Sequence, residues 1–183
     1  YQVDNFVPDI VTLGKPVFEM WKGEYDLVLV DAPPLGQLFS YLRAPNTIAD
    51  LVPAGPIQRQ ANKMHDALVD ESATSLILVT TPEELPVLET IETLDQLEIE
   101  PVITLAATVT NRVLPDLEVS AGQVAALPDG PHRGAAVHHQ ALFAQQQRWL
   151  EVLPDGPRLP YLFGLRTAGE VAERLADEWD DQI

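Results

Sequence analysis

The stretch Leu76-Ile77-Leu78-Val79, followed at once by Thr80-Thr81-Pro82-Glu83-Glu84, decides the fold class. Four consecutive apolar residues are typical of a strand that is buried on both faces. A threonine, a proline and two acidic residues are then typical of the first turn of a helix. The stretch therefore predicts a strand that leads into a helix, which is the repeating unit of α/β proteins.

Further strands are predicted on either side. Upstream, Tyr25-Asp26-Leu27-Val28-Leu29-Val30-Asp31 predicts a buried strand that ends at Asp31. Downstream, Val102–Val109 predicts a third strand with Asn111 at its carboxyl end, and 159–163 predicts a short fourth strand. This order predicts an α/β fold with a mostly parallel sheet that is covered by helices on both faces.

Helices are predicted between and after the strands. Two apolar stripes have helical spacing; they consist of Ile57, Ala61, Met64 and Leu68, and of Leu85, Leu88, Ile91 and Leu94. We also expect a helix over 140–150 and a last one after the capping sequence at Thr167. Prolines predict broken structure over 35–56, and 115–135 predicts a loop. The length suits a single α/β domain over 1–183.

Composition excludes several classes of function. The formal net charge is −17, and the 11 lysines and arginines form no basic run, so we expect no nucleic-acid partner. The absence of cysteine excludes disulfides and thiolate metal sites within the chain. No apolar run approaches the roughly 20 residues that span a bilayer, so no transmembrane segment is expected.

Asp31 is the first candidate for a chemical role. Ligands of parallel α/β sheets bind beyond the carboxyl ends of the strands, where a carboxylate can orient water on a magnesium ion. An aspartate in that position can equally well cap a turn. The sequence Asp31-Ala32-Pro33-Pro34-Leu35-Gly36 adds a rigid turn and a glycine, whose backbone amide can approach a terminal phosphate closely.

The spacing of Asp31, Pro34 and Gly36 resembles the second switch of the arsenite-pump and tail-anchored-protein-targeting ATPase family. Three later blocks support the resemblance, because they follow in the family's order: Val79–Thr90, Val109–Pro115 and Pro160–Phe163. The first resembles the family's Pro-Glu helix start, the second its strand with an adenine-contacting asparagine, and the third its last strand. The resemblance implies a phosphate-loop NTPase fold of the deviant Walker A class.

The resemblance also implies site residues and cofactors. The implied catalytic residues are Asp31, which holds a water ligand of Mg²⁺, and Gly36, whose amide senses the γ-phosphate of ATP. The implied nucleotide-binding residues are Pro34, Asn111, Arg112, Pro160, Tyr161 and Leu162. The implied function is a switch ATPase that couples ATP hydrolysis to the binding of a partner or cargo.

The partners are implied in the same way. The family resemblance indicates a dimer, formed with a second copy or with a related ATPase subunit, and a protein or membrane-protein client. It indicates a cytoplasmic location, with attachment to a membrane only through a partner. Phe39, Tyr41, Leu42, Leu51 and Val52 either line a hydrophobic client groove or pack against the rest of the fold.

Two features of the family are missing from the sequence. Gly14-Lys15 is followed by Pro16, so it is no phosphate loop, and the cysteines that bind zinc or arsenite in the family are absent. Two interpretations remain open. Either the chain is the C-terminal part of an ATPase whose phosphate loop precedes Tyr1, or it is a catalytically degenerate partner subunit that binds a related ATPase.

Two further readings are disfavoured. A partitioning ATPase or a small ligase would not explain the Pro-Glu helix start or the Asn111–Pro115 block. Adjacent His138 and His139 suggest a metal site, but neighbouring residues of a helix point in different directions and no other ligand cluster is near in the sequence.

Overall fold

A computed structural model describes residues 6–52, 54–165 and 167–182 of the chain. Within these residues the protein has seven helices and three strands. The helices are α1 (Phe6–Lys22), α2 (Leu35–Leu51), α3 (Pro56–Val69), α4 (Glu84–Ile99), α5 (Ala121–Ala125), α6 (Pro131–Leu150) and α7 (Ala168–Asp180). The strands are β1 (Ser75–Thr80), β2 (Thr104–Val113) and β3 (Arg158–Pro160).

The strands form one parallel sheet in the order β1-β2-β3, which confirms the α/β prediction. Strands β2 and β3 pair with Thr110 opposite Arg158 and Val113 opposite Pro160, and the register shifts between these two pairs. The second predicted strand matches β1. The third is confirmed but continues to Val113, and the fourth is confined to three residues.

The chain divides into two compact units, which are described separately. The first contains the residues up to Leu76 together with Glu92–Ala106, and the second contains Ile77–Ile91 and the residues from Ala107 onward. In the first unit, α2 packs on α1 and α3, and in the second, α5 packs on α6 and α7 packs on β3. The single domain expected over 1–183 stays a prediction.

The predicted strand over 25–31 is wrong. The structure assigns neither helix nor strand to this segment, which lies between α1 and α2. A strand exists only through hydrogen bonds to a neighbouring strand, and a buried strand also needs packing on its faces. Leu27 and Leu29 are instead 73% and 84% exposed, so the apolar sequence has no neighbour that would cover it within the described residues.

Helix α2 contradicts the prediction of broken structure over 35–56. It runs for 17 residues, with Pro45 inside it. An interior proline removes one main-chain hydrogen bond and costs about 3 kcal/mol. Seven side chains of α2 are buried, however, and each large one contributes ~1.5–3 kcal/mol. Burial of this face therefore outweighs the cost of the proline.

Helices α3 and α4 form as predicted; three of the four stripe residues of α3 are buried, whereas the buried face of α4 differs from its apolar stripe. Ile57 of α3 is exposed, as are Leu85 and Leu88 of α4. Thr90 is completely buried instead, because its hydroxyl donates a 2.7 Å hydrogen bond to the carbonyl oxygen of Pro86 one turn earlier. A prediction based on apolar residues alone overlooks a buried threonine whose hydroxyl is hydrogen-bonded to the main chain of its own helix.

The C-terminal helices are longer or earlier than expected. The predicted loop over 115–135 contains α5 and the start of α6, which begins at Pro131 in the first helical position. The predicted capping of α7 is confirmed. The amide of Glu170 donates to the hydroxyl of Thr167 over 3.3 Å, and the amide of Thr167 donates to the Glu170 carboxylate over 3.0 Å.

Candidate functional site

The predicted site residues fall into two groups. Asp31, Pro34 and Gly36 belong to the first unit, in the segment that ends in the first turn of α2. The other residues belong to the second unit, at the carboxyl ends of β2 and β3; they are Asn111, Arg112, Pro160, Tyr161 and Leu162. The roles of both groups stay predictions, and the geometry of each is given in turn.

The first group presents the amino end of a helix. Pro34 is the residue before α2 and provides no side-chain hydrogen bond to the first turn, which also contains no acidic residue. The amide of Gln37 donates to the carbonyl oxygen of Pro34 over 2.8 Å. The amides of Leu35 and Gly36 precede the first intrahelical donors, and such amides favour anions together with the helix dipole.

Gly36 is exposed and has open space around it. A Cβ atom added there would meet no heavy atom within 4 Å, and its φ angle is not in the left-handed region. The local fold therefore does not require glycine at this position. Asp31, five residues earlier, is also exposed. A carboxylate oxygen is the type of ligand that Mg²⁺ and its water shell prefer.

The second group is brought together by the pairing of β2 with β3. Val113 lies opposite Pro160, and the amide of Tyr161 donates a 2.7 Å hydrogen bond to the carbonyl oxygen of Val113. The two strands are parallel, so the residues after both of them emerge at the same edge. The structure thus places Asn111 and Arg112 near Pro160 and Tyr161, on adjacent strands.

Close packing of main chain fixes this pairing. The amide of Thr110 donates to the carbonyl oxygen of Pro157 over 2.9 Å. One residue earlier, a Cβ atom on Gly156 would lie 2.2 Å from the carbonyl oxygen of Thr108. Only glycine allows the chain that enters β3 to approach β2 this closely.

The end of β2 contains a strained residue. Arg112 has a φ angle of 60°, which is uncommon outside glycine. Its amide donates to the side-chain oxygen of Asn111 over 2.8 Å. The side chain of Asn111 also carries two N–H donors on its amide nitrogen. Residues in such conformations are concentrated at binding and catalytic sites.

Sequence reasoning missed the residues that support this end of the sheet. Gln146, His139 and Gln140 of α6 make hydrogen bonds to the main chain of the segment 112–119 that follows β2. The spacing of His139 and Gln146 is seven residues, which places both on one helix face. Polar residues at that spacing were the available signal, but their partners lie over 20 residues away in sequence.

Aromatic side chains border the same edge. The rings of Tyr161 and Phe163 lie with centroids 4.7 Å apart, and the His139 ring lies 6.1 Å from that of Phe163. Tyr161 and Phe163 are 43% and 60% exposed. Exposed rings of this kind offer flat apolar faces on which another ring can stack.

The proposed client-groove residues of α2 are mostly internal. Phe39, Tyr41 and Leu42 are buried within the first unit, which agrees with the packing alternative, whereas Leu51 is exposed. Arg43 of the same helix lies 5.3 Å from the Phe39 ring.

An ion pair also anchors α2. The Nε atom of Arg43 donates to Glu100 Oε1 over 2.8 Å, and its terminal nitrogen contacts the second carboxylate oxygen. Hydrogen bonding to Arg43 lowers the pKa of Glu100, and burial opposes this shift in part. The pair therefore contributes to stability only while Glu100 is ionised.

Across residues 6–52, 54–165 and 167–182, no group of three or more histidine, aspartate or glutamate side chains could hold a metal ion. No helix in this part of the chain combines the length and apolarity that crossing a membrane requires.

Comparison with known proteins identifies the family to which part of the chain is similar. Residues 55–126 match the anion-transporting ATPase family. The chain is 33% identical over 91 residues to the ATPase BagA of Mycobacterium tuberculosis, and equally to the protein Mb3704 of Mycobacterium bovis. The alignments cover 50% of this chain but 26% of each relative, so the chain spans about a quarter of their length.

The match confirms the predicted resemblance and locates it. The matched residues extend from α3 through β1, α4 and β2 to α5, and they include Asn111 and Arg112. The Asp31–Gly36 segment and Pro160–Leu162 lie outside the family match. The similarity to this family is therefore located in the segment from α3 to α5.

Proposed function

We propose that the protein containing this chain binds and hydrolyses ATP and uses hydrolysis to switch the binding of a partner or cargo. The observation that carries the proposal is the match of residues 55–126 to the anion-transporting ATPase family. The matched segment includes the carboxyl end of β2, with Asn111 and the strained Arg112. The carboxyl ends of strands are where α/β proteins bind ligands. The relative BagA is named an ATPase, which supports the same proposal of ATP hydrolysis.

We assign phosphate and magnesium contacts to the Asp31–Gly36 segment of the first unit. The uncapped amino end of α2 suits the terminal phosphate, with the Gly36 amide as donor. The exposed Asp31 carboxylate suits the water shell of Mg²⁺. When bound, Mg²⁺ would neutralise part of the negative charge of the phosphates. The contribution of this chain is to orient water through Asp31 and to donate a hydrogen bond from Gly36.

We assign contacts with the nucleotide base to the ends of β2 and β3 in the second unit. The amide nitrogen of Asn111 carries two N–H donors, and the Tyr161 ring provides an exposed apolar face. Adenine presents ring nitrogens that accept hydrogen bonds and a flat surface that stacks. We assign base recognition to these residues, with Arg112, Pro160 and Leu162 as neighbours.

The switch is assigned to residues 35–56, which begin with the first turn of α2, the helix end that would contact the γ-phosphate. Loss of that contact after hydrolysis releases the segment, which is a transition between order and disorder. We propose that the partner is a second copy or a related ATPase subunit, with a protein client, and that the protein acts in the cytoplasm.

A second candidate is a degenerate subunit that binds a related ATPase without hydrolysing ATP. The observation in its favour is the lack of a Gly-Lys-Ser/Thr sequence in these 183 residues. Magnesium-dependent phosphate release by the full-length protein separates the two candidates, since only the first predicts it.

The deciding variant is Asp31→Asn, with Asp26→Asn as its matched control in the same exposed segment. We expect Asp31→Asn to lower turnover by roughly 100-fold, comparable to the loss of one charge-stabilising group, and to leave the fold intact. Asp26→Asn should retain turnover. Equal turnover of the Asp31→Asn variant and the unsubstituted protein would refute the assignment of Asp31.

A further inference from the structure

Side chains of helix α6 make hydrogen bonds to the main chain at the end of β2 and in the loop after it. We name this segment, residues 112–119, the β2 loop; it includes the last two residues of β2. Gln146 donates to the carbonyl oxygen of Arg112 over 3.2 Å and accepts from the amide of Leu114 over 2.8 Å. His139 bonds the carbonyl oxygen of Pro115 over 2.8 Å. Further along, Gln140 donates to the carbonyl oxygen of Val119 over 2.9 Å, a separate contact of the same kind.

These bonds act where the backbone is strained. Arg112 and Glu118 of the β2 loop both have positive φ angles, of 60° and 55°. A conformation of that kind persists only where surrounding contacts determine it. The carbonyl oxygen of Arg112 is held by Gln146, and its amide is held by Asn111. Gln146 thus fixes the peptide that follows Arg112, and the Asn111 side chain accepts from the amide of that same residue.

The same helix face reaches the loop after β3. The His139 ring that bonds Pro115 also lies 6.1 Å from the ring of Phe163, which in turn lies 4.7 Å from Tyr161. The amide of Tyr161 is tied to β2 through Val113. One face of α6 therefore contacts both segments to which base recognition is assigned.

We propose that Gln146 and His139 are positioning residues for recognition of the nucleotide base. They set the direction of Asn111 and its separation from Tyr161, and they touch no ligand themselves. This inference rests on the proposed function, because it assumes that the ends of β2 and β3 bind a base. It adds that base selectivity depends on side chains of α6 that a ligand does not contact.

The test combines amide hydrogen exchange with nucleotide binding on the full-length protein. In Gln146→Ala, we expect exchange at the Leu114 amide to accelerate about tenfold, in line with the loss of one side chain–main chain hydrogen bond. We expect the dissociation constant for ATP to rise about 3–10-fold and the preference for ATP over GTP to narrow. The exposed neighbour Gln145→Ala is the control and should change neither quantity.

A second variant keeps the test decisive if Gln146→Ala does not fold. Gln146→Glu retains an oxygen that accepts from Leu114 but loses the donor to Arg112. It should keep slow exchange at Leu114 and still narrow the preference for ATP. A merely structural role would leave that preference unchanged.

The outcomes separate this inference from the proposed function. Faster exchange at Leu114 with an unchanged preference for ATP over GTP would overturn the positioning role alone. Unchanged exchange would show that Gln146 does not hold the β2 loop and would overturn it as well. Failure of the unsubstituted chain to distinguish ATP from GTP would overturn base recognition at these strand ends, and the positioning role with it.

Discussion

Replacement of Gly156 by alanine tests how the end of the sheet is built. The new Cβ atom would lie 2.2 Å from the carbonyl oxygen and 3.3 Å from the carbonyl carbon of Thr108, and both are main-chain atoms of β2. Ordinary van der Waals contact for such an atom begins at 3.4 Å, so the chain entering β3 must move by about 1 Å. This movement breaks the hydrogen bond from the amide of Thr110 to Pro157.

The expected cost follows from these two effects. Overpacking of this kind costs about 1–3 kcal/mol, and loss of the partner of a buried amide costs about 1–3 kcal/mol, with partial relaxation shared between them. We therefore expect Gly156→Ala to lower the free energy of unfolding by about 2–4 kcal/mol. Urea unfolding followed by circular dichroism measures this quantity directly.

A matched control has the opposite sign. Gly134 lies inside α6 with no heavy atom within 4 Å of an added Cβ atom, so Gly134→Ala should raise stability by about 0.5–1 kcal/mol. A loss of less than about 0.5 kcal/mol in Gly156→Ala would refute the close approach of β3 to β2. So would an equal effect of the two substitutions.

Three further variants address other parts of the chain. Gly36→Ala should leave stability unchanged or raise it by up to about 1 kcal/mol, since the site is open. It should weaken ATP turnover, because the added methyl group hinders the approach of a phosphate to the amide; equal turnover would contradict that close approach. Arg43→Ala should lower the free energy of unfolding by about 0.5–1 kcal/mol at pH 7, because the ion pair is partly exposed. The pKa of Glu100 is lowered in the folded protein, so the part of this difference that comes from the ion pair should decrease as the pH falls through that pKa; a difference in urea unfolding that does not decrease with falling pH would contradict it. Thr167→Ala should cost about 1 kcal/mol through loss of the α7 cap, and an unchanged urea midpoint would count against that cap.

Local patterns in the sequence predicted the elements whose packing depends on near neighbours. Strand β1, the helix that follows it and the capping of α7 each have their signals within a few residues. Residues 25–31 have the same apolar pattern as β1, but they form no strand because a strand requires a hydrogen-bonding neighbour. The sequence pattern indicates a preference for strand conformation, but it does not indicate whether a neighbouring strand is available to pair with it.

The site was predictable to a similar degree. Spacing and resemblance identified Asn111 and Tyr161, and the structure brings their strands together. The contributions of Gln146 and His139 were not predictable, because glutamine and histidine on a helix carry no distinctive signal until their distant main-chain partners are known. The strain at Arg112 was equally hidden, since any residue type can be held at a positive φ angle by sufficient contacts.

Binding of ATP with and without magnesium tests the central claim most directly. Calorimetric titration of the full-length protein should show tighter binding of ATP when Mg²⁺ is present, because Asp31 is proposed to hold a water ligand of the ion. Asp31→Asn should remove this magnesium dependence, while Asp26→Asn retains it. Absence of ATP binding, or a magnesium dependence that is unchanged in Asp31→Asn, would contradict the account.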